Sequence, residues 1–223
     1  MPRDTLTREQ IITAAIDLMD AEGLEGLNMR ALGQRLGSAA TAVYWHVGSK
    51  ANLIALAADH AWSEVALPDP AAVGWRTAAA AMGTGLHAML TRHTWLVQAF
   101  GSYPVFGFGK ARHDDHLLAI YETAGFPAGL ADQATAAVFT YVLGNALSAA
   151  AAASLTRKLG GDTGPPMAET MARAREIAAQ FPRLRARLVT PTASYAEAPE
   201  HSFEFGLQAI LDGLQAQLSL RSR

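Results

Sequence analysis

The 223-residue chain has no cysteine, which excludes disulfides, thiolate nucleophiles and cysteine-ligated metal sites. It offers no run of alternating β-branched residues that reads as a strand. It also lacks a nucleophile motif, a phosphate-binding glycine loop and a paired metal motif, so an enzyme is poorly supported and no cofactor is expected. Its opening residues, MPRDTLTREQ, lack the apolar core of a signal peptide, so a cytoplasmic location is expected. Charge is scarce and nearly balanced, at 17% charged residues and net −2, which gives no bulk attraction to nucleic acid. Residues 133–156 lack charge altogether, a length sufficient to cross a bilayer. That stretch nevertheless holds Gln133, Thr135, Thr140, Asn145, Ser148 and Ser154 among alanines. It reads as a buried bundle helix, and no membrane partner is expected.

What the chain has is helix-forming sequence. Half of its residues are hydrophobic, with a heavy share of alanine, and the expected fold is all-α. Thr7 is placed to N-cap a first helix, with Gln10 completing a capping box and Leu6 and Ile11 a hydrophobic staple. Ile11, Ile12, Ala15, Leu18 and Met19 follow at helical spacing, and Gly23 stops the helix. Asn28 caps a short second helix with Met29, Leu32 and Leu36 inward, stopped by Gly37. A third short helix ends at Gly48, and Ser49 starts a fourth through Leu53, Leu56, Ala57 and His60.

The third helix contains TAVYWHV, residues 41–47. Successive helical residues turn by about 100°. Val43 and Val47 therefore share one face, while Tyr44, Trp45 and His46 sweep the rest, and at least one ring must face outward. Some packing of Trp45 or Tyr44 against the first helix is also expected. Two short helices joined by a tight glycine-containing turn form a helix-turn-helix, whose second helix enters the DNA major groove. Local charge agrees: residues 27–50 carry Arg30, Arg35, His46 and Lys50 and no acid. Lys50 stands in the first turn of a helix, where it opposes the macrodipole but completes a phosphate site.

The segments LTREQIITAAIDLMDAEGLEGLNMRALGQRLG and TAVYWHVGSKANLIALAADHAW closely resemble the DNA-binding domain of the TetR family of bacterial transcriptional regulators, especially its tetracycline repressor branch. The likeness covers roughly residues 6 to 64; GSYP, AGF, YVLG and FEFGLQAILDGL more loosely resemble the regulatory domain of that branch. The resemblance implies an all-α homodimer that binds double-stranded operator DNA and is released by a small-molecule effector. It implies a helix-turn-helix DNA-binding domain over residues 1–66 and a ligand-binding and dimerisation domain over 67–223. Arg30, Tyr44, Trp45 and His46 match residues at the family's DNA surface, and Lys50 its phosphate-contacting lysine. Thr41 and Ala42 match positions that vary with operator sequence, and Ala40 replaces a base-reading glutamine, which implies a different operator. Ser38 and Ala39 stand for the family's usual valine and N-cap serine, and Ser38 is expected to cap the third helix, shifting its start by one residue.

Pro68 and Pro70 mark the junction to the second half. Helices are expected over 75–91, in a short segment over 94–101, over 111–124, from Pro127 to about Arg157, over 169–180, and from about Ser202 onward. GSYPVFGFGK, GGDTGPPM and TPTASYAEAPE are expected loops. The candidate effector pocket is lined by Met82, Leu86, Tyr103, Phe106, His113, Leu117, Tyr141 and Asn145, largely apolar with a few polar handles, which favours an apolar or aromatic effector. In the tetracycline repressor a histidine and a partner-chain glutamate serve magnesium; Gly101 and Ser148 stand in those places, which argues against a magnesium–tetracycline ligand. The run HDDH, 113–116, reads as a polar helix N-terminus rather than a metal site. Five consecutive alanines, Ala149 to Ala153, and Gly206 and Gly213 in the last helix favour close helix packing in a dimer. Two other readings are a metal-dependent enzyme built on HDDH and a helical interaction module without specific DNA binding.

Overall fold

A computed structural model describes residues 6–158, 165–188 and 198–221, and every regular element among them is helical. The first is α1, Arg8–Glu22. Thr7 Oγ1 accepts from the Gln10 amide at 3.2 Å and Gln10 Oε1 from the Thr7 amide at 2.8 Å, so the expected capping box forms. Gly23, at φ 78°, closes the helix by donating to the Met19 carbonyl. A 3-10 turn, Leu24–Gly26, leads to α2, Met29–Arg35, and α3, Ala40–Val47, follows. Asn28 caps α2 by accepting from the Arg30 amide at 2.9 Å. Ala39, not Ser38, is the N-cap of α3, and no side chain caps it. The expected shift toward Ser38 does not occur, because the Ser38 amide is held to the Gly33 carbonyl at 2.8 Å. Gly33 itself is buried under the turn: a Cβ there would stand 2.9 Å from the Ser38 carbonyl oxygen and 3.0 Å from the Ala40 nitrogen. A larger residue would push α2 and α3 apart.

Helix α4, Lys50–Trp62, starts at Ser49 as expected, with the serine Oγ accepting from Asn52 N. The second half comprises α5 (Pro70–Val73), α6 (Trp75–Arg92), α7 (Thr94–Ala99), α8 (Phe108–Thr123), α9 (Ala128–Lys158), α10 (Pro165–Ala178), α11 (Pro182–Leu188) and α12 (Ala198–Arg221). Helix α8 starts at Phe108 rather than Ala111. The glycines read as loop breakers let its first turn lie against α4, where a Cβ on Gly109 would stand 2.5 Å from the Asp59 carbonyl oxygen. HDDH is therefore internal to α8 and not its N-terminus. Helices α10 and α12 start earlier than expected, with Pro165 and Pro199 in first turns that need no proline N–H. Helix α11 is additional. Of the expected loops, residues 160–164 and 190–197 lie outside the described residues.

Helix α9 is the axis of the second half, packed by α6, α7, α8 and α12. It buries Ala131, Ala134, Val138, Val142, Ala146 and Ala150, a single stripe at helical spacing. The part of this helix buried within the single chain is that stripe, and 22% of its most apolar window is inside the protein. By length and composition α9 is also long and apolar enough to cross a membrane. Gly83 of α6 lets Leu207 of α12 approach to 3.1 Å of where its Cβ would be, and Gly206 makes room for the Tyr141 ring. The glycine at 206 thus has a reason within the chain, whereas Gly213 faces open space.

Candidate nucleic-acid interface and ligand pocket

Val43 and Val47 are fully buried and fix α3 against the first helices. The same rotation sends the intervening side chains outward. Trp45 is 82% exposed and Tyr44 45%. Of the two rings expected to pack in part on the first helix, Tyr44 keeps just over half of its surface covered, while the ring neighbour of Trp45 among the described residues is His46, edge to face at 4.8 Å. Thr41 is exposed and Ala42 half-buried on the same helix, and Arg30 is exposed at the start of α2. Lys50 is the first residue of α4, half-buried beside the end of α3, and Asn52 Nδ2 donates to the Val47 carbonyl at 2.8 Å to hold that corner. Among the described residues neither Arg30 nor Lys50 has an ion-pair partner, whereas Arg35 reaches Asp17 at 3.8 Å. The arrangement is an exposed aromatic ridge flanked by available cations. It can meet base edges and phosphates together.

Helix α4 carries this face toward the second half over about 20 Å. Its far end is buried: Trp62 lies 4.9 Å from the His113 ring, and Asp59 Oδ1 accepts from the Gly109 amide at 2.5 Å. Behind this contact is a cavity of about 10 Å³ lined by Met82, Gly83, Leu86, His113, Asp114, Leu117, Thr135, Val138 and Phe139. That volume is about one water's worth. Four of the residues expected to line an effector pocket, Met82, Leu86, His113 and Leu117, come together in its wall. The other four stand elsewhere. Tyr103 is half-buried against the core. Phe106 is largely exposed, with the Lys110 ammonium 5.7 Å from its ring centre. Tyr141 donates to the Ser202 and Phe203 carbonyls, and Asn145 Nδ2 donates to the Tyr141 carbonyl. Thr135, Val138, Phe139 and Asp114 line the cavity but escaped sequence reasoning. Helical spacing from Leu117 could have found Asp114.

The cavity has two polar atoms without a hydrogen-bond partner in the protein, His113 Nε2 and Thr135 Oγ1. His113 is only 2% exposed. Its Nδ1 lies 3.3 Å from Asp114 Oδ1, and Lys110 Nζ pairs with Asp114 Oδ2 at 2.5 Å. Burial pushes the Asp114 pKa up, but the hydrogen bonds from His113 and Lys110 and the lysine charge outweigh it and hold the carboxyl below its ordinary range. The Lys110 ammonium also stands 5.2 Å from the Trp62 ring centre and 5.1 Å from that of Phe139. His116 Nε2 is 2.8 Å from the Pro68 carbonyl, which it meets as a donor. The HDDH run is thus divided among three jobs, and among the described residues no group of three or more His, Asp or Glu side chains is placed to hold a metal ion.

The two halves of the chain each match a known family model. The model for bacterial regulatory proteins of the tetR family matches residues 11–57, and that for the tetracyclin repressor-like C-terminal domain matches residues 67–218. An HTH-type transcriptional regulator of Saccharopolyspora erythraea is 32% identical over 217 residues, covering 96% of this chain and 87% of the relative. The HTH-type transcriptional repressor DrrR1 of Streptomyces coeruleorubidus is 32% identical over 229 residues, covering 99% and 81%. In structure, the Streptomyces coelicolor TetR family protein ActR in complex with actinorhodin superposes with a TM-score of 0.72 at 26% identity, covering 96% of this chain and 98% of that one.

Proposed function

The chain belongs to the TetR family, a non-enzymatic family of transcriptional regulators, and from that premise we propose that it is a repressor which binds a palindromic operator as a homodimer and is released by a small molecule. The observation that carries this reading is the Tyr44-Trp45-His46 ridge, held outward by buried Val43 and Val47 and joined through α4 to a cavity at Trp62 and His113. Residues 1–66 form the DNA-reading unit and residues 67–223 the effector-binding and dimerising unit. Arg30, Thr41, Ala42, Tyr44, Trp45, His46 and Lys50 face the operator. Relatives support the repressor sense, since DrrR1 is a repressor and ActR is a family protein found with actinorhodin.

The dimer surface is the outer face of α9 with α12. Leu147 and Leu155 on α9 and Phe205 and Leu220 on α12 are exposed there. Such apolar faces on neighbouring helices are what a bundle between two subunits would cover. The cavity is too small for an effector as it stands, so binding must part α6, α8 and α9. Because Gly109 and His113 of α8 touch Asp59 and Trp62 of α4, parting these helices moves α4 and with it α3. Two recognition helices must reach half-sites a helical turn or a multiple apart. An effector that prefers the moved state lowers DNA affinity by its differential affinity for the two states.

The test is a fluorescence-anisotropy titration of labelled DNA carrying the intergenic region beside this protein's gene, at two salt concentrations with random DNA as competitor. Tight, competitor-resistant binding with about two protomers per site is expected. Binding no tighter than to random DNA would count against the repressor reading.

A further inference from the structure

We propose that the cavity between α6, α8 and α9 reads a hydroxyl group, and that its ligand is an uncharged alcohol or phenol on an otherwise apolar skeleton. The inference rests on the effector-pocket reading above and names the chemistry of that site.

The walls are apolar where Met82, Leu86, Leu117 and Val138 face the cavity. Against this lining, His113 Nε2 and Thr135 Oγ1 are buried without a partner, although buried polar atoms are nearly always paired. Their hydrogen-bonding roles follow from their neighbours. A carboxylate only accepts, so Asp114 beside His113 Nδ1 assigns the ring proton to Nδ1. In the neutral ring Nε2 is then an acceptor that needs a donor. The Thr135 hydroxyl can donate or accept. A hydroxyl has the complement of both atoms: it can donate to Nε2 while its oxygen accepts from Thr135.

Charge on the ligand is disfavoured from both sides. The Asp114 carboxylate lines the cavity. Lys110 already neutralises that carboxylate and is itself held among the Trp62, Phe106 and Phe139 rings, so neither an anion nor a cation is called for. An ether or a hydrocarbon of the same shape would leave Nε2 without a donor. Sites built to pair a hydroxyl reject such analogues strongly.

The experiment is isothermal titration calorimetry of the full-length protein with four matched probes: 1-naphthol, 1-methoxynaphthalene, naphthalene and 1-naphthoate. 1-Naphthol should bind tightest, by about tenfold over the methyl ether, roughly 1.4 kcal/mol. Thr135→Val and His113→Phe should each erase that preference while keeping naphthalene affinity, and Thr135→Ser, which retains the hydroxyl, should preserve it. Equal affinity for naphthol and its ether, a preference that survives both variants, tightest binding of naphthoate, or no binding of any probe would each overturn the proposal. Operator release by 1-naphthol is scored separately. A hydroxyl preference without release would leave the ligand chemistry standing and remove its regulatory role, and loss of specific operator binding would sink the repressor reading alone.

Discussion

His93 offers the sharpest test of how the two halves are joined. It lies at the corner between α6 and α7 and is only 3% exposed. Its Nδ1 is 2.8 Å from Asp20 Oδ1 near the end of α1, and its Nε2 is 3.0 Å from Glu64 Oε1 just past α4. Both carboxylates have second partners: Trp95 Nε1 donates to Asp20 at 2.8 Å and Arg92 to Glu64 at 2.6 Å. With acceptors facing both ring nitrogens, only the protonated ring donates on each side. Burial alone would lower the His93 pKa, but the hydrogen bonds it donates to Asp20 and Glu64 and the charges of those carboxylates together raise it above 6.5.

Replacing His93 by alanine removes one partner of a buried charged cluster, a loss that can reach about 3–5 kcal/mol. Here Trp95 and Arg92 continue to serve the two carboxylates, so the expected cost near pH 6 is about 2–3 kcal/mol. The folded protein holds the His93 proton more tightly than the unfolded chain does. This stabilisation is therefore complete below pH 6.5 and is lost as pH rises through the raised folded value. Urea denaturation at pH 6, 7.5 and 9, at one protomer concentration, should show wild type approaching the variant as pH rises, leaving about 1 kcal/mol from lost packing at pH 9. A difference that stays constant, or grows with pH, would refute the argument that His93 acts as a protonated clamp.

Trp45→Ala and His46→Ala should each weaken operator binding at least several-fold while shifting urea stability by no more than about 0.5 kcal/mol, since neither side chain is in the core; a comparable loss of stability would return these rings to the core. Lys50→Ala should weaken specific and random DNA alike and flatten the salt slope by about 0.9 per subunit, and an unchanged slope would remove Lys50 from the phosphate contacts. Gly109→Ala places a Cβ 2.5 Å from the Asp59 carbonyl oxygen and 3.0 Å from Trp62 Cβ, so α8 must retreat from α4; stability should fall by about 1–3 kcal/mol and operator affinity with it, and a variant unchanged in both titrations would disconnect α8 from α4. Leu147→Asp combined with Phe205→Asp should yield a folded monomer by light scattering, because both side chains are exposed in the single chain, and a persistent dimer would place the subunit interface elsewhere.

What could be read from the sequence was local. The Thr7–Gln10 box, the Asn28 and Ser49 caps and the Val43/Val47 stripe depend on residues two to four apart, and each forms as read. Apart from the α3 cap, which Gly33 decides from five residues away, the errors at Gly107, Gly109 and Gly206 lie where a distant segment decides. Gly107 and Gly109 look like loop breakers until Asp59, fifty residues earlier, is seen to need their missing side chains. Gly206 looks like a subunit contact until Tyr141 is found in the same space. The His93 clamp joins residues 73 apart with no periodic signal to connect them.

The pocket divides in the same way. Met82, Leu86 and Leu117 follow from helical spacing, because an amphipathic face points inward whatever lies opposite. Phe106 and Tyr141 are attractive in sequence as aromatic groups with nearby breakers or polar handles, but their directions are set by Lys110 and by the backbone of α12. Thr135 is the opposite case. In sequence it counts only as one polar residue against a membrane span. In the fold it is one of two unpaired polar atoms in an apolar wall, and that pairing, not residue type, gives the site its chemistry.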